Sequence, residues 1–143
     1  EQALRDVRDI LTRHNASVWE VAIFIRFTKV ATSSWLANSA EGGSFRNGET
    51  AMYIEMPVIE PIDFNAQWMA FYEAPYKEVV ETLVRTYDGR IHLGKNKKWL
   101  FQLERSEGTY GTNVTPFNDA VRALGVNSRF ANDFAADLGI TFP

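Results

Sequence analysis

Two strand-like segments restrict the possible folds of this 143-residue chain more than any other pattern in it. Residues 18–30 and 50–60 both alternate apolar and mixed side chains with the period of a β-strand. The apolar face of the first segment is predicted to be core, and its mixed face is a candidate for facing a cavity. Because two strands alone form only a marginal ribbon, we expect the remaining strands to come from a larger protein.

The other periodic segments are helical. The spacing of apolar residues predicts helices at residues 2–14, 63–87, 115–124 and from Ser128 to near Gly139. Pro75 is expected to break the long helix, and Gly89 to cap it. Residues 99–103 are predicted to be a short apolar segment and 105–114 an irregular loop. The fold class is therefore α+β: antiparallel strands of a partial sheet covered by helices, in one unit over residues 1–143.

Composition excludes several classes of function. The net charge is −3 with both signs interspersed, so no basic face is available for nucleic acid. The absence of cysteine excludes a disulfide framework and a thiolate nucleophile. No apolar run approaches the roughly 20 residues that span a bilayer. His14 and His92 stand far apart without a carboxylate cluster, so no metal site is expected.

The beginning of the chain and its sequons bear on processing and location. The sequence starts at Glu1 rather than Met, which processing, proteolysis or an artificial boundary would each explain. Two sequons begin at Asn15 and Asn113. They favour a secreted or extracytoplasmic location over a cytoplasmic one.

Residues 87–95 carry the densest group of candidate functional side chains, with Arg90, His92 and Lys95 within six positions. A cationic turn after a helix is also expected without any catalytic role, because the helix dipole favours positive charge at that end. Two glycines bracket the segment, however, and its cations alternate with apolar residues. That alternation is typical of a strand at a buried edge.

This segment, Tyr-Asp-Gly-Arg-Ile-His-Leu-Gly-Lys, resembles a signature of sugar-lactone, alditol and related FAD-linked oxidases of the vanillyl-alcohol-oxidase type, Gly-Arg-Pro-His-Trp-Gly-Lys. Ile91 and Leu93 replace its proline and tryptophan, which changes packing more than chemistry. Phe130 and Asn132 carry a more diffuse similarity to the oxidase C-terminus. The resemblance covers residues 18–138 and is specific only in the signature.

The resemblance implies roles for the three cations of the signature. Lys95 matches a lysine that reaches toward the flavin edge and the substrate hydroxyl, where a fixed cation would stabilise negative charge on the flavin. His92 and Arg90 match the histidine and the arginine. Lys95, Arg90 and His92 are therefore expected to bind the cofactor, and Lys95 and His92 also to act in catalysis.

A second group of expected site residues lies on the two strands. Related oxidases carry Glu-x-Arg on the strand that enters the active site; Arg26 matches the arginine and is expected to be catalytic, but Phe24 stands where the glutamate would be. Glu55 is predicted to replace that carboxylate by pairing with Arg26. Glu55, Tyr53 and Phe24 are expected to contact the substrate. The alternative is an exposed arginine on one strand and an exposed glutamate on the other.

The resemblance as a whole implies the C-terminal, substrate-binding portion of a FAD-dependent oxidase. Such an enzyme would oxidise a CH–OH group of a sugar lactone, an alditol or a sterol-like alcohol, with oxygen as acceptor and hydrogen peroxide as product. The FAD-binding domain would belong to an N-terminal chain of the same precursor. A dehydrogenase with another acceptor and a non-catalytic α+β binding or assembly module are the alternatives.

Overall fold

Five α-helices and one β-hairpin make up the part of the chain that the computed structural model describes, which is residues 1–15, 22–32, 35–57, 66–93 and 98–143. In chain order these elements are α1 (Gln2–Arg13), β1 (Phe24–Lys29), β2 (Thr50–Glu55), α2 (Ala66–Tyr87), α3 (Lys98–Glu107), α4 (Val114–Ala123) and α5 (Asp133–Asp137). The predicted α+β class, with a partial antiparallel sheet, is confirmed. None of the helices in these ranges is long and apolar enough to cross a membrane.

The hairpin pairs β1 and β2 in antiparallel register, from Phe24 opposite Glu55 to Lys29 opposite Thr50. Directly opposed residues share a face of the sheet, so Arg26 lies beside Tyr53. Both strands are shorter than predicted. Residues 22–23 and 56–57 lie outside the ladder, while residues 16–21 and 58–60 lie outside the described part of the chain.

A first core forms where α1 and α2 meet one end of the hairpin. Val7, Ile10 and Leu11 of α1 pack with Val79 of α2, and Ile54 is among the partly buried residues against them. The predicted apolar face of β1 is covered only in part. Ile25 is 43% exposed and Phe27 is 67% exposed, so the prediction that this whole face is core was wrong for these two residues.

Helix α2 continues through Pro75, so the predicted break at this residue was wrong. A proline inside a helix removes one hydrogen bond and costs roughly 3 kcal/mol. Pro75 is among the most completely buried side chains of the described residues. Its burial against the core offsets that cost, and the helix reaches Tyr87 uninterrupted.

The turn that ends α2 differs by one residue from the predicted cap. Asp88 adopts the left-handed conformation, with φ of 51°, and the amide of Gly89 donates to the carbonyl of Leu83 at 2.8 Å. A Cβ atom on Gly89 would lie 2.8 Å from that same oxygen. The glycine is therefore needed for close approach to the helix end.

A second core is built around α3, a helix that was predicted only as a short apolar segment and a loop. Leu100, Phe101 and Leu103 of this helix pack with Val84 and Ile91. Leu100 is 0% exposed. The helix forms because its apolar residues recur on one face, which burial against α2 and the 89–93 turn stabilises.

The C-terminal elements follow the prediction less closely at their caps. Helix α4 ends before Gly125, whose φ of 65° suits the predicted stop. Ser128 does not cap the last helix. Asn132 does so, since its side chain accepts a hydrogen bond from the amide of Ala135 at 2.9 Å.

The second sequon has a structural role for its asparagine. The side-chain nitrogen of Asn113 donates to the carbonyls of Trp35 at 2.9 Å and Glu41 at 2.6 Å. A glycan on this nitrogen would break at least one of these bonds. This sequon therefore gives no support to a secreted location, and the location of the chain stays a prediction.

Candidate functional site

An open cleft of ≈ 450 Å³ lies against the mixed face of the hairpin. Three hairpin residues of the mixed face, Arg26, Thr28 and Tyr53, line it together with Phe27 of the other face, and Ala37, Asn38 and His92 line it from other segments. The prediction that the mixed face of the first strand meets a cavity is confirmed. Three residues that were expected in the site, Arg26, Tyr53 and His92, are brought together although 66 positions separate the first from the last.

The first wall of the cleft, which we call the hairpin wall, carries an exposed ion pair. Arg26 Nη2 donates to Glu55 Oε1, so the predicted pairing of these two residues is confirmed. The Arg26 side chain is 68% exposed, and the pair lies diagonally across the two strands. Exposed ion pairs of this kind contribute about 0–1 kcal/mol to stability. The contact with Glu55 therefore restrains the Arg26 side chain only weakly.

The second wall, which we call the turn wall, is the segment from Arg90 to His92 together with the loop that contacts it; His92 and Asn38 line the cleft, whereas Arg90 does not. The guanidinium of Arg90 donates to the carbonyls of Thr109 at 3.0 Å, Ala40 at 2.5 Å and Gly42 at 2.5 Å. These carbonyls come from two distant segments. Arg90 therefore joins the loop around residue 40 to the turn after α3.

Aromatic rings and burial complete the environment of Arg90. Its guanidinium carbon lies 4.2 Å from the ring centre of Phe45 and 4.7 Å from that of Tyr110. Burial lowers the pKa of Arg90, while the neighbouring Tyr110, Glu104 and Tyr53 act in the opposite direction. The guanidinium remains a cation, because arginine keeps its proton throughout the physiological range.

Glu104 is a buried carboxylate of α3 that sequence reasoning did not select. It is 3% exposed; it accepts a hydrogen bond from the Thr109 hydroxyl, and one at 3.4 Å from the amide of Ile91. Burial raises the pKa of Glu104, and its hydrogen bonds and the charge of Arg90 oppose that rise. Its position four residues after Leu100 becomes a signal only once residues 98–107 are known to form a helix.

Ile91, the residue that precedes His92, is held through both of its backbone groups. The carbonyl of Ile91 accepts from the side-chain amide of Asn38 at 3.0 Å and from the Tyr110 hydroxyl at 3.3 Å, while the Ile91 amide points at Glu104. Asn38 itself lines the cleft. Its hydrogen bond to the Ile91 carbonyl therefore holds Asn38 close to the peptide that leads into His92, so these two cleft residues are fixed relative to each other.

Comparison with known proteins identifies the family. A family model described as D-arabinono-1,4-lactone oxidase matches residues 1–138. The chain belongs to this family. No curated protein and no solved structure matches it.

Family membership confirms the resemblance that the signature at residues 87–95 indicated. The domain is the C-terminal domain of sugar-lactone oxidases. The match therefore supports an oxidase of the sugar-lactone type acting on a small-molecule substrate.

Of the other residues that were expected in the site, one lies off the cleft, one lines it and one lies outside the described residues. Phe24 lies on the same sheet face as Arg26, opposite Glu55, and is 48% exposed but does not line the cleft. His92 lines the cleft and is exposed. Lys95 lies outside the described residues. The catalytic and cofactor-binding roles of these residues stay predictions.

Proposed function

We propose that this chain is the substrate domain of a FAD-dependent oxidase that converts a CH–OH group of a sugar lactone to a carbonyl, with oxygen as the final acceptor. The observation that carries this proposal is the family match over residues 1–138, which includes every residue that lines the cleft. The cleft supplies the polar groups that such a substrate needs.

Five of the seven described residues that line the cleft are polar, which favours a sugar lactone or an alditol over a sterol-like alcohol. Arg26, Thr28, Asn38, Tyr53 and His92 all offer hydrogen-bonding groups to the cleft. A hydroxyl-rich substrate replaces its water contacts with these groups, whereas a sterol would displace water from them and offer few hydrogen bonds in return. Tyr53 and Asn38 are suited to orient hydroxyls, and Arg26 to bind the lactone carbonyl.

FAD fits this site only in part. The cation of Arg26 and the imidazole N–H of His92 suit a flavin ring edge that gains negative charge, and Lys95 is proposed to complete them. FAD supplies the hydride acceptor when it is bound. The sequence contains no phosphate-binding loop or dinucleotide fingerprint. We therefore assign the nucleotide half of FAD to a partner, the N-terminal FAD-binding chain of the same precursor.

The exposed apolar residues of β1 support such a partner. Phe24, Ile25 and Phe27 are each more than 40% exposed on a ribbon of two strands. A two-stranded ribbon gains stability when further strands or a packed surface cover it. The partner domain would provide that cover and place the flavin next to the cleft.

The test is an absorbance spectrum and an oxygen-consumption assay on the natively purified protein. Flavin bands near roughly 370 and 450 nm, a second larger polypeptide, and oxygen uptake that depends on D-arabinono-1,4-lactone are the expected results. Lactone that bleaches the flavin without oxygen uptake would indicate a dehydrogenase instead. A single colourless chain that unfolds cooperatively would contradict the proposal and favour a non-catalytic binding or assembly module.

A further inference from the structure

Most of the N–H donors of Arg90 bind carbonyl groups of the protein itself. Three of its N–H groups reach the carbonyls of Thr109, Ala40 and Gly42 at 3.0 Å or less, and a fourth contact, to the carbonyl of Asn38, is 3.5 Å long. A guanidinium has five N–H donors in total. Little capacity is left for direct hydrogen bonds to a cofactor, which the signature alone had led us to expect.

The carbonyls that Arg90 binds belong to segments that touch by backbone. A Cβ atom on Gly43 would lie 2.4 Å from the carbonyl oxygen of Thr109, and one on Gly111 would lie 2.6 Å from the amide nitrogen of Gly43. At such close approach no side chain fits between the two segments. The planar guanidinium of Arg90 donates to both segments at once through N–H groups with fixed directions. A lysine ammonium does not reproduce this geometry.

The loop that Arg90 holds carries the cleft residue Asn38 and contacts Ile91, the residue that precedes the second cleft residue, His92. Asn38 lines the cleft, and its side-chain amide binds the Ile91 carbonyl next to His92. Any shift of the loop around residue 40 therefore moves Asn38 and releases the peptide before His92. Glu104 supports the same residue, because it accepts hydrogen bonds from the Ile91 amide and from the Thr109 hydroxyl.

We propose that Arg90 is a positioning residue, not a cofactor ligand: it fixes the loop of residues 38–45 against the turn at Thr109 and so holds Asn38 and His92 in the wall of the substrate cleft. The consequence for substrate binding rests on the proposed lactone oxidation. The positional role itself does not, so the two are separable by experiment.

The experiment compares the natively purified protein with its Arg90→Lys variant in two measurements. Hydrogen–deuterium exchange with mass spectrometry follows residues 38–45, residues 89–93 and helix α1. Absorbance and steady-state kinetics with D-arabinono-1,4-lactone follow the flavin and the substrate. Arg46→Lys is the matched control, because Arg46 binds carbonyls of the same loop but is exposed.

The proposal predicts faster exchange in residues 38–45 by at least about tenfold, a factor that the loss of one charge-assisted hydrogen bond suffices to produce. Exchange in α1 and the flavin bands would stay as in the unsubstituted protein. The KM for the lactone would rise more than kcat falls, because the displaced wall weakens substrate binding. Arg46→Lys would change none of these quantities by more than about twofold.

Unchanged exchange in residues 38–45 overturns the proposal whatever the flavin bands do, and displaced bands or lost flavin would then assign Arg90 to the cofactor. If Arg90→Lys unfolds, α1 exchanges faster as well, and Asn38→Ala then decides. That variant must speed exchange in residues 89–93 and raise KM with the flavin bands unchanged, or the proposal fails. If the unsubstituted protein oxidises no lactone, the proposed function fails, while the exchange data still test the role of Arg90.

Discussion

The two walls of the cleft each contain an arginine, and the two arginines are held in opposite ways. Arg26 of the hairpin wall is 68% exposed and pairs with the carboxylate of Glu55. Arg90 of the turn wall is partly buried between two aromatic rings and donates to carbonyls of two other segments. Arginine therefore supplies an accessible charge at the hairpin wall, whereas at the turn wall it holds two backbone segments together.

This difference separates the part of the cleft that is available to a ligand from the part that maintains its shape. An exposed ion pair exchanges partners at little cost, so Arg26 is free to turn from Glu55 to a substrate oxygen. A guanidinium bound to several carbonyls cannot do so without leaving those carbonyls unsatisfied. Substitutions at the two walls should consequently affect different quantities.

The largest effect is expected for Arg90→Met. This change removes a donor from three carbonyls, of which that of Gly42 keeps the amide of Phe45, and it leaves Glu104 without its nearby cation. The free energy of unfolding should fall by about 3–5 kcal/mol, the range for removing one partner of a buried charged network. Urea denaturation followed by circular dichroism measures it. Arg26→Met is the matched control and should change the same quantity by no more than about 1 kcal/mol; equal losses would remove the distinction between the walls.

Gly43→Ala tests the close backbone contact between Gly43 and Thr109, in the two segments that Arg90 holds together. Gly43 has φ of +54° and its added Cβ would meet the Thr109 carbonyl oxygen at 2.4 Å. Backbone strain and overlap together should lower the free energy of unfolding by roughly 2–4 kcal/mol. Gly48→Ala isolates the strain, since Gly48 also has positive φ, +83°, but nothing within 4 Å. A loss at Gly43 no larger than the loss at Gly48 would show that the two segments separate easily.

Glu104→Gln should change the pH dependence of stability by a smaller amount. Because burial raises the pKa of Glu104 above its usual 4.5, the folded chain keeps this proton to higher pH than the unfolded chain does. Stability from this group is therefore greatest below pH 4.5 and falls as the pH rises through the folded-state pKa. The variant lacks this fall, so its stability relative to the unsubstituted chain should increase across that window.

Urea unfolding at a series of pH values gives the comparison for Glu104, and Glu107→Gln is its control. Glu107 lies three residues away on the same helix, is exposed and pairs with Arg85. The stability difference between the Glu107→Gln variant and the unsubstituted chain should show no such increase in favour of the variant. A Glu104 difference that stays flat with pH would mean that the carboxylate ionises in the folded chain as it does in water.

The smallest effect is expected for Glu55→Gln at the hairpin wall. Loss of the ion pair with Arg26 should lower the free energy of unfolding by about 0.5 kcal/mol at most. Since salt screens exposed charges, the difference should vanish in about 1 M sodium chloride. A loss above about 2 kcal/mol that persists in salt would place Arg26 in a structural role like that of Arg90.

The hairpin wall could be predicted from the sequence because its information is local. Alternation along each strand fixes which residues share a face, so the pairing of Arg26 with Glu55 followed from two short patterns. The turn wall depends on contacts between residues far apart in the chain. Arg90 lies 48 to 52 positions from its partners Gly42, Ala40 and Asn38, and no local pattern indicates such contacts.

Two other features were missed for identifiable physical reasons. Helix α3 begins in a segment rich in aromatic and charged residues whose apolar run is too short to show helical periodicity by itself. A glutamate on such a helix is ordinarily exposed, so Glu104 could not be selected without knowing that Thr109 and Ile91 supply its hydrogen bonds. The continuation of α2 through Pro75 depended in the same way on burial of the proline, which is a tertiary property.

The most direct test of the difference between the walls is kcat/KM for D-arabinono-1,4-lactone in the flavin-loaded protein carrying Arg26→Met. We predict a fall of about 10- to 100-fold, corresponding to one charge-assisted contact with the substrate, in a protein that unfolds at the same urea concentration as the unsubstituted one. A kcat/KM equal to that of the unsubstituted protein would contradict the account, because the exposed arginine would then have no part in the reaction.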